Sequence, residues 1–195
     1  MRPLVVLGLR GVGKSATCAQ VVRLDGSFEA VQIGTFISRH KNKPEQPLKQ
    51  NEFVAAMGSL VAYVRTISPV KHVLLESGDF VIKANGLFRC NHFHIWEQVE
   101  PGAIAMLLAS PETIIARRDA DKNKRRKEND DDIHTIEIHQ DLLISCASAV
   151  ANRLGIPLNV ILAQDKVSDV ALRLLDCVKY TATEYALVAR LRQEI

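Results

Sequence analysis

The sequence predicts a three-layer α/β fold, in which a five-stranded parallel sheet is flanked by helices. Short aliphatic runs alternate with longer segments of helical periodicity, and uninterrupted apolar runs are typical of parallel strands buried on both faces. The length of 195 residues suits one domain with a sizeable core. The five predicted strands span residues 3–7, 30–33, 73–75, 103–109 and 158–162.

Helix signals lie between these strands. Ser110, Pro111 and Glu112 supply an N-cap, a first-turn proline and an acidic residue, which together predict a helix start. A longer helix is predicted over residues 132–154, where Gly155 ends it. Its predicted buried face consists of Leu143, Cys146, Val150 and Leu154. Further helices are predicted over about residues 51–66, 168–178 and 181–195, the last an addition to the minimal fold, and residues 41–50 are predicted as a loop.

Composition indicates an ordinary globular protein. Hydrophobic residues make up 47% and charged residues 24% of the chain, and the net charge is +3, which argues against a disordered or nucleic-acid-coating chain. No apolar stretch reaches the roughly 18 residues of a membrane span, and we expect no cleaved signal before the first strand. We therefore predict a single cytoplasmic domain without a membrane partner. Four scattered cysteines are predicted to be reduced thiols: Cys18, Cys90, Cys146 and Cys177.

The stretch CNHFH is a candidate metal cluster. It places Cys90, His92 and His94 at alternate positions, which share one face if the backbone is extended. Three such ligands suit a transition metal. No fourth ligand is evident, and structural zinc usually takes four, so the sequence favours a polar loop with incidental histidines.

The first strand runs into a glycine-rich segment, GLRGVGKS, at residues 8–15. Its spacing fits the phosphate-binding loop G-x-x-x-x-G-K-[ST], in which main-chain N–H groups and a helix N-terminus face an anion. Lys14 is expected to reach the outer phosphates of a nucleotide and the Ser15 hydroxyl to ligate Mg²⁺. Since no guanine-reading N-K-x-D motif follows, the segment predicts a P-loop NTPase fold that uses ATP and Mg²⁺. The predicted nucleotide-binding residues are Gly8, Leu9, Arg10, Gly11, Val12, Gly13, Lys14, Ser15 and Ala16.

Two further segments are expected to complete the site. The third strand ends in Glu76, where many P-loop proteins keep an acid for the metal ion, with Asp79 as second candidate and an ordinary strand-end carboxylate as the alternative. Residues 116–132, ARRDADKNKRRKENDDD, contain seven Lys and Arg residues. Their position favours a mobile lid over residues 119–132 that brings guanidinium groups onto transferring phosphates. A solvated surface loop and a nucleic-acid patch are the alternatives.

Together these motifs resemble the archaeal-type adenylate kinase family of nucleoside monophosphate kinases, over about residues 3–180. The resemblance rests on the loop GLRGVGKS, the IGTFI turn, VIKANGLF, the pair Arg117-Arg118, the basic KRRKENDDD and IEIHQ. It implies a monophosphate-binding region over about residues 34–68 and a homotrimer. The residues that it implies for the acceptor are Thr35, Arg39 and Lys83, and those for catalysis, beside Lys14, are Arg118 and Arg126.

The reaction implied is transfer of the γ-phosphoryl group of Mg-ATP to AMP, which gives two ADP. A monophosphate is already an anionic nucleophile, so positioning and charge neutralisation suffice. Two segments differ from the family pattern: residues 41–50 lack an acceptor arginine and offer Lys49 instead, and Glu76-Ser77-Gly78 replaces Asp-Thr-His. The alternatives are a P-loop ATPase that acts as an RNA or ribosome assembly factor, and a small-molecule kinase with Asp79 as its base.

Overall fold

The structure, a computed structural model, describes residues 2–39, 50–78, 80–82, 88–90, 93–121 and 132–193. The strands in these ranges are β1 (Leu4–Leu7), β2 (Phe28–Gln32), β3 (His72–Glu76), β4 (Phe80–Ile82), β5 (Phe88–Cys90), β6 (Ala103–Leu108) and β7 (Leu158–Leu162). The helices are α1 (Lys14–Leu24), α2 (Ile33–Ser38), α3 (Gln50–Ile67), α4 (Phe93–Val99), α5 (Pro111–Ala120), α6 (Ile133–Leu154) and α7 (Val167–Gln193). Among these described helices, none combines the length and the apolar character needed to cross a lipid bilayer.

The main sheet has five parallel strands in the order β2-β3-β1-β6-β7. This confirms the predicted fold class, and each predicted strand matches an observed one to within two residues at either end. Strand β1 lies at the centre, with Val5 in register with Leu75 of β3 and Ile104 of β6. Because all five strands run in one direction, their carboxyl ends meet at one edge, where the loops that follow them lie close together.

Helices close over the sheet to form one continuous core. Leu60 of α3, Ile114 of α5 and Leu174 of α7 are completely buried and belong to the same cluster as the side chains of the central strands. All four residues of β1 are buried as well. The central strands therefore lack a polar face because helices cover them on both sides.

Capping residues account for the helix boundaries that the sequence predicts. Ser110 caps α5, where its hydroxyl accepts a hydrogen bond from the Thr113 main-chain N–H over 3.3 Å. Asp132 caps α6 in the same way through the Thr135 N–H over 3.0 Å, and this hydrogen bond lowers the pKa of its carboxyl group. Gly155 ends α6 in the left-handed conformation, at φ +63°. The predicted start of α5 and the predicted start and end of α6 are confirmed.

Two predictions about helices need correction. The buried residues of α6 are Ile136, Leu143, Ala147, Val150 and Ala151. Cys146 and Leu154 lie at the margin of this face and are only half-buried. The side of the helix that packs on the core lies next to them and includes two small alanines, which allow a close approach. In addition, residues 181–193 continue α7 and do not form a helix of their own, since neither glycine nor proline interrupts the chain before them.

The segment between β3 and β6 contains two strands that the sequence pattern did not predict. Strands β4 and β5 form a separate antiparallel pair, in which Phe80 lies opposite Cys90. Cys90 ends β5 and His94 lies in α4, so these two residues do not belong to one extended strand. His92 lies outside the described residues. Runs of three apolar residues are too short for periodicity to reveal such a pairing.

Candidate active site

The loop between β1 and α1 lies at the carboxyl edge of the sheet, directly after the buried central strand. Helix α1 begins at Lys14, with Gly13 as its N-cap in the left-handed conformation at φ +105°. The first turn of α1 contains no acidic residue. This arrangement suits a phosphate group, because unpaired main-chain N–H groups and the positive end of the helix both favour negative charge.

Gly8 allows this loop to lie directly on the neighbouring strand β6. A Cβ atom at this position would lie 2.7 Å from the main-chain oxygen of Leu107 and 2.8 Å from Cγ1 of Val12. Any side chain would therefore push the loop away from β6. The first glycine of the motif is thus explained by close packing of the loop on the sheet.

The Lys14 ammonium group extends back across the loop. Its Nζ donates hydrogen bonds to the main-chain oxygens of Gly8, over 2.6 Å, and Leu9, over 3.0 Å. The residue is only 9% exposed. A positive charge held at a fixed position with little water around it interacts strongly with an anion, because local screening is weak. A cation held in this way suits the phosphate-binding role that the sequence predicts for Lys14.

Glu76, the last residue of β3, lies beside the start of α1. Its Oε1 accepts a hydrogen bond from the Ser15 hydroxyl over 2.5 Å. Glu76 is 7% exposed, whereas Ser15 is exposed. Hydroxyl and carboxylate oxygens are the ligands that Mg²⁺ prefers, and here they lie within one hydrogen bond of each other. The two residues predicted as metal ligands therefore fit Mg²⁺ by their donor chemistry.

The end of β2 adds a side chain that sequence reasoning missed. Gln32 pairs with Glu76 in the strand ladder, and its Nε2 lies 3.2 Å from Glu76 Oε1 and 3.3 Å from Ser15 Oγ. Its Oε1 accepts a hydrogen bond from the hydroxyl of Thr35, a predicted acceptor-site residue. The available signal was a polar residue that ends a strand immediately before the IGTFI segment.

Helix α2, which carries Thr35, is held in place by packing against α3. The rings of Phe36 and Tyr63 lie 5.6 Å apart. The Tyr63 hydroxyl donates to Glu29 of β2 over 2.5 Å, which lowers the pKa of the Glu29 carboxyl group. Arg39, also predicted for the acceptor, caps the carboxyl end of α2, is exposed, and donates its main-chain N–H to the Thr35 oxygen.

The paired arginines of α5 contact the loop between β1 and α1 from its other side. Arg117 donates from Nη1 to the main-chain oxygen of Val12 over 2.7 Å, and from Nη2 to that of Ala163 over 2.9 Å. It therefore ties the loop to the residue that follows β7. Arg118, a predicted catalytic residue, donates from Nε to the main-chain oxygen of Arg10 over 3.1 Å. The aliphatic part of the Arg118 side chain occupies space that is open because Gly11 has no side chain.

Other predicted site residues lie outside the described residues. They are Lys49, Asp79, Lys83 and Arg126, together with residues 122–131 of the predicted lid. The structure thus brings together Lys14, Ser15, Glu76 and Thr35 at one edge of the sheet, with Arg118 at the far side of the loop.

No family model matches the sequence, and a comparison with curated proteins found no match. Among solved structures, the chain is similar to an unliganded sugar kinase from Janibacter sp. HTCC2649, with a TM-score of 0.52 and 15% identity over 92% of this chain and 95% of that one. It is also similar to shikimate kinase from Acinetobacter baumannii in complex with shikimate, with a TM-score of 0.55 and 15% identity over 92% of this chain and 94% of that one. At this identity the similarity establishes the fold, a five-stranded parallel sheet flanked by helices, which the chain shares with both kinases.

Proposed function

We propose that the protein is an ATP-dependent phosphotransferase that transfers the γ-phosphoryl group to AMP. The observation that carries the proposal is that Lys14, the Ser15–Glu76 pair and the Gln32–Thr35 pair meet at one edge of the sheet. A cation and oxygen ligands lie on the donor side, whereas residues 33–39 on the acceptor side include no carboxylate. Such a site suits an acceptor that is itself an anion, because a phosphate nucleophile needs no base.

Each residue in this proposal has a distinct role. Lys14 binds the β- and γ-phosphates of ATP, and Ser15 and Glu76 hold Mg²⁺. The magnesium ion, when bound, neutralises charge on the phosphate oxygens. Arg118 and Arg126 neutralise the charge that develops on the transferred group, and the acceptor phosphate is held by Thr35, Arg39 and Lys83. The resemblance to archaeal-type adenylate kinases supports AMP as acceptor and is the basis for proposing a homotrimer. The cytoplasmic location predicted from the sequence is kept as part of the proposal.

A second candidate function is a kinase that phosphorylates a small alcohol. It is favoured by the two similar structures, which are a sugar kinase and shikimate kinase. A sugar offers a hydroxyl group, and a kinase of this type needs a carboxylate to accept the hydroxyl proton. Asp79, which follows β3 and lies outside the described residues, is the candidate for that role.

The test measures ADP and free phosphate separately, with Mg-ATP and one added acceptor at a time. The acceptors are AMP, other monophosphates, shikimate, a hexose and an RNA control. We expect AMP to increase ADP formation steeply while free phosphate stays near background, because the γ-phosphoryl group passes to AMP instead of water. Lys14→Ala should lower turnover by about 10²–10³-fold, as loss of a preorganised charge requires. The matched control is Lys71→Ala, which removes an exposed lysine that pairs with Glu29.

Three results would contradict the proposal. Phosphate release equal to ADP formation with every acceptor would indicate an ATPase, and stimulation of that release by RNA would favour the assembly-factor reading. ADP formation that depends on shikimate or a hexose would indicate the alcohol kinase. Undiminished turnover in the folded Lys14→Ala variant would show that the loop does not bind the nucleotide as proposed.

A further inference from the structure

One amide side chain connects both halves of the proposed site. Gln32 lies at the end of β2, opposite Glu76. Its Nε2 is within 3.2 Å of Glu76 Oε1 and 3.3 Å of Ser15 Oγ, and its Oε1 accepts from the Thr35 hydroxyl. These contacts decide the orientation of the amide, because a carboxylate can only accept a hydrogen bond and must therefore face the NH₂ group. The same chain of contacts thus runs from the acceptor helix α2 to the cation ligands.

The acceptor end of this chain uses the only proton that the Thr35 hydroxyl can donate. That proton is on Gln32 Oε1 in the structure. A phosphate oxygen is an acceptor, so Thr35 can donate to an acceptor phosphate only by releasing Gln32. Occupation of the acceptor site through Thr35 therefore removes the hydrogen bond that holds the carbonyl end of the amide.

The metal end of the chain involves the lone pairs of Ser15 Oγ. The hydroxyl donates its proton to Glu76, and the Gln32 NH₂ group points a donor at the same oxygen. The hydroxyl oxygen has two lone pairs, so a cation can still coordinate it, but the partly positive NH₂ group points at the two oxygens, Ser15 Oγ and Glu76 Oε1, that the cation would use. Because like charges repel, an amide released at its carbonyl end can turn away from these oxygens, which favours binding of the cation.

We propose that Gln32 is a positioning residue that couples acceptor binding to Mg²⁺ binding, an inference that rests on the proposed function. Acceptor contact with Thr35 releases the amide, the amide releases Ser15, and Mg²⁺ then binds more tightly. By thermodynamic linkage, Mg²⁺ must strengthen acceptor binding by the same factor. The consequence is that the acceptor and Mg²⁺ bind together. This disfavours transfer of the phosphoryl group to water while the acceptor site is empty.

The test measures the apparent dissociation constant of Mg²⁺ by titration calorimetry, with a non-hydrolysable ATP analogue bound, in the presence and absence of AMP. Such a measurement reports binding and does not depend on turnover. In the unaltered protein, AMP should lower this constant about 5-fold or more, which is the lower range of known coupling factors. Gln32→Leu and Thr35→Val should each reduce the effect to about 1-fold. The control Gln98→Leu, which changes an exposed residue of α4, should keep the original factor.

The outcomes separate the coupling from the proposed function. If AMP binds and lowers the dissociation constant of Mg²⁺ by the same factor in Gln32→Leu as in the unaltered protein, the coupling role of Gln32 is wrong and the kinase proposal stands. If AMP does not bind at all, the acceptor assignment is wrong. The role of Gln32 is then tested by the dissociation constant of Mg²⁺ measured without AMP. Removal of the competing NH₂ group in Gln32→Leu should then tighten Mg²⁺ binding. A dissociation constant of Mg²⁺ that is unchanged or higher in Gln32→Leu would overturn the inference, whatever the acceptor is.

Discussion

At the scale of single residues, Cys18 illustrates how burial changes the chemistry of a side chain that lies beside the candidate site and takes no part in it. It lies one turn after Lys14 in α1 and is 1% exposed. Burial is the main cause that raises the pKa of its thiol from 9.0 to about 12, the nearby Glu76 carboxylate adds to the effect, and the Lys14 ammonium opposes it. The thiol therefore stays protonated and unreactive, as the sequence predicts for a core cysteine.

This pKa predicts how stability depends on pH. The folded protein keeps the Cys18 proton up to about pH 12, whereas the unfolded chain releases it near pH 9.0. The unfolded state binds fewer protons in this interval, so the free energy of unfolding should fall as pH rises above 9, by at most about 1.4 kcal/mol per pH unit. Urea unfolding at pH 7 and pH 10 should show a smaller fall in Cys18→Ala than in the unaltered protein or in Cys146→Ala. Equal falls in all three proteins would refute the assignment.

At the scale of elements, α5 joins three parts of the chain that are far apart in sequence. Its N-terminus is set by Ser110, while the side chain of Gln140 from α6 pairs with both the N–H and the oxygen of Ala109. Its last turn carries Arg117 to the carbonyl oxygens of Val12 and Ala163. The element thus positions the loop between β1 and α1 relative to β7, and Arg117 has a supporting role that differs from the phosphate contact proposed for Arg118.

We predict that Arg117→Ala lowers the free energy of unfolding by about 1–3 kcal/mol, because it removes charged donors from two carbonyl oxygens. Arg117→Lys should recover only part of this loss, since an ammonium group lacks the fork that spans both oxygens. The loosened loop should also raise the KM for ATP more than it lowers kcat. Denaturant unfolding and steady-state kinetics measure these effects, with the exposed Arg23→Ala as control. A purely kinetic effect without loss of stability would instead indicate that Arg117 contacts phosphate.

At the scale of the whole molecule, one core connects the elements that surround the site. Buried side chains from β1, β3 and β6 form a single cluster with those of α1, α3, α5, α6 and α7. No described helix packs on a second, separate cluster of buried residues. The predicted single domain should therefore behave as one cooperative unit.

We predict that heat unfolds the protein in one transition, for which the calorimetric enthalpy equals the van't Hoff enthalpy. Saturating Mg-ATP analogue should move the whole transition to higher temperature, because a ligand that binds only the native state stabilises all parts of a cooperative unit. Differential scanning calorimetry measures both quantities. Two resolved transitions, or a shift of only part of the heat absorption, would show that the chain contains independently folding parts.

The sequence by itself determined the features that depend on short stretches of chain. Apolar runs predicted the five strands, Ser110, Asp132 and Gly155 predicted helix boundaries, and the spacing from Gly8 to Ser15 predicted the phosphate-binding loop. Each of these signals arises from local physics: the burial of successive side chains, the capping of helix ends and the backbone freedom of glycine. The position of Glu76 could also be predicted, because it ends a strand of a parallel sheet.

Only the tertiary structure decided which of these residues meet. Gln32 lies 44 positions before Glu76, and the two interact because β2 and β3 are neighbours in a register that aligns their last residues. Arg117 reaches Val12 across 105 positions, and β4 pairs with β5 in a segment where no strand was predicted. Strand order, register and helix packing are set by the total free energy of the core, to which every element contributes. For this reason local periodicity, which reports the burial of one segment at a time, does not encode them.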